Sequence, residues 1–229
     1  MLIKRLNKNV LIVASHPDDE VLGCFGTVEK LIKQGYKAYT LILGEGKTSR
    51  DQKRDLENRK DEISELRKEI LEANKTIGIE KVFIESFPDN RFDGVELLDI
   101  VKVVSKVIDE IKPEIVFTHF ENDLNIDHQI TYKAILTATR PMENCSVKEI
   151  YSFEILSSTE WNYPLTFSPD TFFEIEIKNK QKAMSIYKSE LREFPHPRSL
   201  DGIELNAKYW GMRVGKKYIE AFKTVRAIK

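Results

Sequence analysis

The sequence predicts an α/β fold: one domain built on a Rossmann-like, mostly parallel sheet flanked by helices, with a C-terminal β/α extension. Three observations predict it. Short apolar runs alternate with amphipathic helical patterns through the first 140 residues, the βα repetition that gives parallel strands and right-handed crossovers. The runs Val10–Ala14 and Ile115–Thr118 are almost wholly apolar, as strands buried on both faces are. Each then runs into a cluster of His and Asp, and open α/β sheets bind ligands outside the carboxyl ends of their strands.

The elements follow in order. Val10–Ala14 is the first strand. Glu20 to Gln34 reads as a helix, with Val21, Leu22, Phe25, Val28, Leu31 and Ile32 on one face, and Gly35 ends it. Lys37–Leu43 is a second strand, closed by Gly44-Glu45-Gly46. Gln52 to Thr76 reads as a long charged helix. Its apolar spacing from Leu56 to Ile77 is heptad-like, but three heptads suit a core-facing helix better than a coiled coil. Val82–Ile84 is a third strand, Val95–Ile111 a helix, Ile115–Thr118 a fourth strand, and His128 to Thr139 a helix. Beyond residue 140 the pattern is less regular. Glu149–Leu156 and Thr171–Ile177 read as strands, and Asn179–Arg192 and Ser199–Val214 as helices.

Composition bounds the rest. A chain of 229 residues accommodates one large α/β domain, with 1–140 as its core and 141–229 completing fold and site. A formal net charge of -1 gives no reason to expect nucleic acid or an anionic membrane as partner. No stretch approaches the ~18 apolar residues of a membrane span, and Met1–Asn7 lacks the apolar region of a signal peptide. Cys24 and Cys145 have no CxxC spacing, so a reducing cytoplasm is the expectation. Gly23-x-x-Gly26 lacks the spacing of a dinucleotide loop.

The chemistry lies at the two strand ends. After the first strand comes His16-Pro17-Asp18-Asp19-Glu20; after the fourth comes His119, then Asp123, Asn125, Asp127 and His128. Crowded carboxylates repel one another unless a cation or solvent neutralises them. An acid here also suits a helix N-cap, but a cap leaves His16 and the distant Asp127-His128 unexplained. If the two strands are parallel members of one sheet, both clusters open on the same edge. His16, Asp19 and His128 then offer three ligands with a fourth position for water, the pattern of a catalytic zinc. Fe²⁺, Mn²⁺ or Co²⁺ suit the same donors.

His16-Pro17-Asp18-Asp19-Glu20 with Asp127-His128 resembles the PIG-L/LmbE family of zinc-dependent N-deacetylases. Arg67-Lys68-Glu69 with Ile77-Gly78-Ile79, Phe87–Phe92, Pro195-His196-Pro197-Arg198-Ser199, Gly211-x-Arg213-x-Gly215 and Glu220-Ala221-Phe222 extend the likeness over nearly the whole chain. The resemblance implies one zinc per chain held by His16, Asp19 and His128. It implies Asp18 as general base and an N-acetylated sugar, sugar conjugate or nucleotide sugar as substrate. It also implies a homo-oligomer. The family usually places a histidine three residues before the last ligand, with an aspartate behind it. Here Asn125 takes that place and Asp127 is the partner. An asparagine amide donates a hydrogen bond but carries no proton or charge. Either Asn125 suffices as oxyanion donor, or His119 or His196 supplies the imidazole, or the protein is impaired.

Arg67, Asp89, Arg91, His119 and Asp123 are the candidate substrate contacts, and Trp161-Asn162-Tyr163-Pro164 is a candidate stacking wall for a sugar. Two rival classes are a sugar-binding descendant without catalysis, suggested by Asn125, and a receiver-like domain with a Mg²⁺ pocket. The receiver reading leaves His16, Asp127-His128 and the C-terminal half without a role.

Overall fold

The computed structural model describes residues 8–229. Its strands are β1 (Asn9–Ala14), β2 (Lys37–Gly44), β3 (Lys81–Phe87), β4 (Ile115–His119), β5 (Glu149–Phe153), β6 (Thr171–Glu174) and β7 (Ile219–Ala227). Its helices are α1 (Asp19–Lys33), α2 (Lys60–Lys75), α3 (Leu97–Ile111), α4 (Ile126–Ala138), α5 (Ile177–Ile186) and α6 (Leu200–Val214). The strands form one sheet in the order β3-β2-β1-β4-β5-β7-β6. The first five strands pair in parallel, and β7 joins antiparallel between β5 and β6. The fold is therefore the expected α/β sheet, with its C-terminal part continuing the same sheet.

Strand periodicity builds two cores. Val10, Ile12 and Ala14 of β1 face one cluster, which includes Val21 and Phe25 of α1, Leu66 and Ile70 of α2, and Ala183 of α5. Leu11 and Val13 point the other way, to Ile100 and Val104 of α3 and Ala134 of α4. Alternate residues on a strand face opposite sides, so a strand covered on both faces must be apolar throughout. α1 lies close to the sheet because Gly23 carries no side chain; a Cβ there would meet the Phe153 ring at 2.5 Å. Gly23→Ala is therefore expected to destabilise the fold by about 1–3 kcal/mol through overpacking, read as a lower denaturant midpoint at unchanged slope.

Three elements differ from the sequence expectation. The helix expected from Gln52 begins only at Lys60. Arg54 crosses to Glu45 at 2.6 Å and to the Ser86 carbonyl at 2.9 Å, and Arg59 holds Asp51 at 2.8 Å. Those ion pairs hold 51–59 across the sheet edge as irregular chain. The helix expected through Arg192 ends at Ile186. β7 has no strand signature in the sequence, because Lys223, Thr224 and Arg226 interrupt its apolar pattern. No described helix is long and apolar enough to cross a membrane.

Candidate metal centre and active site

β1 pairs with β2 on one side and β4 on the other, so the strand order reverses between β1 and β4. That switch point opens a crevice at the carboxyl ends of the strands. The chain enters α1 through His16, Pro17 and Asp18, and enters α4 through Asn125, so both His and Asp clusters meet there. Gly44 lets β2 end against this turn: a Cβ would sit 2.8 Å from the Ser15 carbonyl oxygen.

Three donors form a nearly equilateral triangle. His16 Nδ1 lies 3.4 Å from Asp19 Oδ2, Asp19 Oδ2 lies 3.3 Å from His128 Nε2, and His128 Nε2 lies 3.3 Å from His16 Nδ1. Tetrahedral zinc with bonds of about 2.0–2.1 Å spaces its donors about 3.3–3.4 Å apart. The outer nitrogens explain why the inner ones converge. His16 Nε2 faces Asp127 Oδ2 at 3.0 Å, and His128 Nδ1 faces Asp123 Oδ1 at 3.0 Å. A carboxylate behind each ring draws the N–H outward and turns a lone pair inward. Two lone pairs and a carboxylate aimed at one point fit a cation. Asp19 Oδ1, buried and without a hydrogen-bond partner among the described residues, fits it too. His16 Nε2, Asp89 and Asp127 form a second group of possible ligands. There Asp127 Oδ1 already accepts the Phe92 N–H at 2.9 Å, and Asp89 Oδ2 accepts the Ser49 hydroxyl at 2.6 Å. That group supports the first.

The field of the site follows from its charges. Burial lowers the pKa of His16, but its bonds to Asp127 and Asp19 and the nearby Asp89 outweigh this and raise it well above the usual value. Burial raises that of Asp19, but His128 and His119 hold it well below the carboxylate range. The two imidazoles draw protons when no cation is present, so metal binding releases protons.

Asp18 is the left-handed N-cap of α1, at φ 92°. Its carboxylate lines a cavity beside the triangle and meets Arg198 Nη1 at 3.1 Å. Burial pushes its pKa well above the carboxylate range, against the pull of Arg198. Glu20 lies beneath, its Oε2 accepting the Asp18 N–H at 3.1 Å. Burial pushes Glu20 up to about 7, opposed by hydrogen bonds from Tyr187 and Asn74.

The other expected residues divide into three positions. Asp89 and Asn125 line the cavity. Asn125 is the N-cap of α4: its Oδ1 accepts the Asp127 N–H at 2.8 Å and its Nδ2 donates to Asn90 Oδ1 at 2.8 Å. His119 and Asp123, expected as substrate contacts, are fully buried behind the triangle. His119 stacks on His128 with ring centroids 3.9 Å apart and accepts the Ser15 N–H at 2.8 Å. Asp123 accepts from Asn125 N at 2.8 Å, from Thr159 Oγ1 at 2.5 Å and from the Ser158 hydroxyl. Both stand behind the donor triangle and off the cavity wall. Arg67, Arg91 and His196 do not reach the cavity. Arg67 is exposed and donates to Ser86 Oγ at 3.0 Å, and Arg91 braces the Asp51 carbonyl at 3.1 Å. His196 turns toward Trp161, its Nδ1 accepting the Arg198 N–H at 3.1 Å.

Sequence reasoning missed Ser49, Glu190 and Arg198 as lining residues. Arg198 carried a signal, the Pro-His-Pro-Arg-Ser segment, in which the histidine drew attention from its neighbour. Asp123→Asn is expected to weaken zinc binding about 10–100-fold, the usual effect of losing a carboxylate behind a ligand. Competition with a chromophoric chelator measures it.

The family pattern of PIG-L, GlcNAc-PI de-N-acetylase, matches residues 11–139. Probable N-acetyl-alpha-D-glucosaminyl L-malate deacetylase 2 of Bacillus cereus is 24% identical over 157 residues, which cover 68% of this chain and 71% of that one. The solved structure of N,N'-diacetylchitobiose deacetylase from Pyrococcus horikoshii is similar with a TM-score of 0.75 at 20% identity, over 96% of this chain and 84% of that one. GalB, the 4-carboxy-2-hydroxymuconate hydratase of Pseudomonas putida KT2440, is similar with a TM-score of 0.70 at 20% identity, over 96% of this chain and 97% of that one. One fold thus serves more than one chemistry. The family match runs from β1 through α4, takes in both donor clusters and spans more than half of the sequence, and on that ground the chain belongs to the PIG-L family.

Proposed function

We propose that this protein is a metal-dependent N-deacetylase that hydrolyses the acetamide of an amino sugar or sugar conjugate. The observation that carries the reading is the convergent triangle of His16, Asp19 and His128, whose His16 lines one cavity with Asp18. The cavity there has a volume of 190 Å³ and is lined by Ser49, Asp89, Asn90 and Glu190 among others. It is smaller than the roughly 300–1,000 Å³ of sites for drug-sized ligands. That size and those hydroxyl-binding side chains suit one sugar ring.

The donor set fits zinc, which when bound lowers the pKa of its water to about 7 and polarises the acyl oxygen. The chain's own residues do the rest. Asp123 and Asp127 hold the imidazoles in the tautomer that ligates. Asp18 takes a proton from the attacking water as its oxygen bonds to the acyl carbon. The same carboxyl then gives that proton to the amine nitrogen as the C–N bond breaks. Acetate and free amine are the products. The free thiols of Cys24 and Cys145 suit a reducing cytoplasm.

The test is acetate release by zinc-loaded protein from a panel of N-acetylated sugars, sugar conjugates and nucleotide sugars. Release that Asp18→Asn abolishes supports the reading. A protein that holds one zinc per chain, binds these sugars and releases nothing would instead be a binding member of the family.

A further inference from the structure

Acyl transfer places negative charge on the carbonyl oxygen, and a preorganised donor aimed at it is typically worth 10²–10³-fold in rate. This chain lacks the histidine that the resemblance led one to expect, and its remaining imidazoles are elsewhere. His119 is sealed behind His128, and His196 faces Trp161. Asn125 is neutral and already spends its amide on Asp127 and Asn90.

We propose that Arg198 is the catalytic residue that donates to the acyl oxygen as charge builds on it. The inference rests on the deacetylase reading. Among the described residues that line the cavity, Arg198 alone carries a permanent positive charge. Its guanidinium is fixed on two sides: Nη1 meets Asp18 Oδ2 at 3.1 Å, and Nε donates to Ser157 Oγ at 2.7 Å. Nη2 makes no hydrogen bond among the described residues, which leaves a donor for substrate.

The backbone supports this assignment independently. Both anchors of the guanidinium are non-glycine residues in the left-handed region, Asp18 at φ 92° and Ser157 at φ 68°. Such conformations are costly for non-glycine residues and gather at functional sites. Ser157 is held there by Glu160, whose Oε1 accepts its N–H at 2.5 Å. The next two residues, Ser158 and Thr159, donate their hydroxyls to Asp123 behind His128. One strained turn thus sets both the guanidinium and a metal-ligand imidazole. In the proposed step the water oxygen bonds to the acyl carbon and the carbonyl π pair moves onto the oxygen that Arg198 faces. That pair returns as the C–N bond breaks and the nitrogen takes its proton from Asp18.

The experiment uses zinc-loaded full-length protein and a tetrahedral anion, methylphosphonate, with binding measured by calorimetry in wild type, Arg198→Ala and Arg198→Lys. The expected result is about 10²-fold weaker binding in Arg198→Ala, a smaller loss in Arg198→Lys, and one zinc per chain in all three. Guanidinium chloride should restore binding to Arg198→Ala, which a merely structural arginine would not allow. Binding within threefold of wild type in Arg198→Ala, or a loss that follows loss of zinc, overturns the inference. The measurement needs no turnover. Failure to hydrolyse any N-acetyl sugar therefore counts against the deacetylase reading, and failure to lose methylphosphonate counts against Arg198.

Discussion

Asp18→Asn is expected to lower kcat for acetate release by about 10²–10⁴-fold, the span usual for losing a general base, with one zinc still bound per chain. The substitution is nearly isosteric. Asparagine tolerates the left-handed backbone at φ 92°, and its amide oxygen still accepts from Arg198. What disappears is the site for the water proton. Stability should move the other way. Asp18 titrates well above the carboxylate range because it is buried. A carboxyl whose folded pKa is raised costs the fold stability that grows as pH rises from its unfolded toward its folded pKa and vanishes below the unfolded one. Metal-free Asp18→Asn should therefore melt at or above the wild-type temperature at pH 7, with the difference closing in acid. A large loss of both activity and melting temperature would instead make Asp18 a structural cap.

The strand ends were legible because their chemistry is local. His16, Asp18 and Asp19 follow an apolar run within five residues, and the tight turn carries all three to one sheet edge. Parallel membership of one sheet was the sequence's condition for joining the two clusters, and the β1–β4 pairing meets it and brings His128 to the same point. Residues further from a strand end were less legible. His119 and Asp123 share the sequence cluster with His128, yet one sits at the end of β4 and the other behind a ligand. Nothing in their spacing separates a residue facing a cavity from one buried under it. Arg198 lies 180 residues from its partner Asp18, and only tertiary structure joins them. β7 was illegible for a related reason. Its ends are apolar and mixed, and its place between β5 and β6 is set by long-range pairing.

The second large effect lies away from the chemistry, in the ion pair of Lys180 and Glu220. Both are buried, with Lys180 Nζ 2.6 Å from Glu220 Oε1. The pair engages the two backbone groups that a regular helical rung of α1 joins. Lys180 donates to the Leu22 carbonyl at 2.7 Å, and Glu220 accepts the Gly26 N–H at 3.0 Å and the Thr27 N–H at 2.7 Å. Glu220 stands on β7 and Lys180 on α5, so this clasp fastens the helix that begins at Asp19 to the C-terminal part. Lys180→Met leaves a buried carboxylate without its counter-charge and should cost about 3–5 kcal/mol. For a chain of this size that is a fall in Tm of about 6–20 °C. Lys180→Met with Glu220→Leu removes both charges, so it should recover most of the loss. A double variant as unstable as the single one would mean that the clasp acts through its hydrogen bonds to α1 rather than through charge. Because α1 begins at Asp19, the single variant should also bind zinc more weakly than the double at a temperature where both are folded.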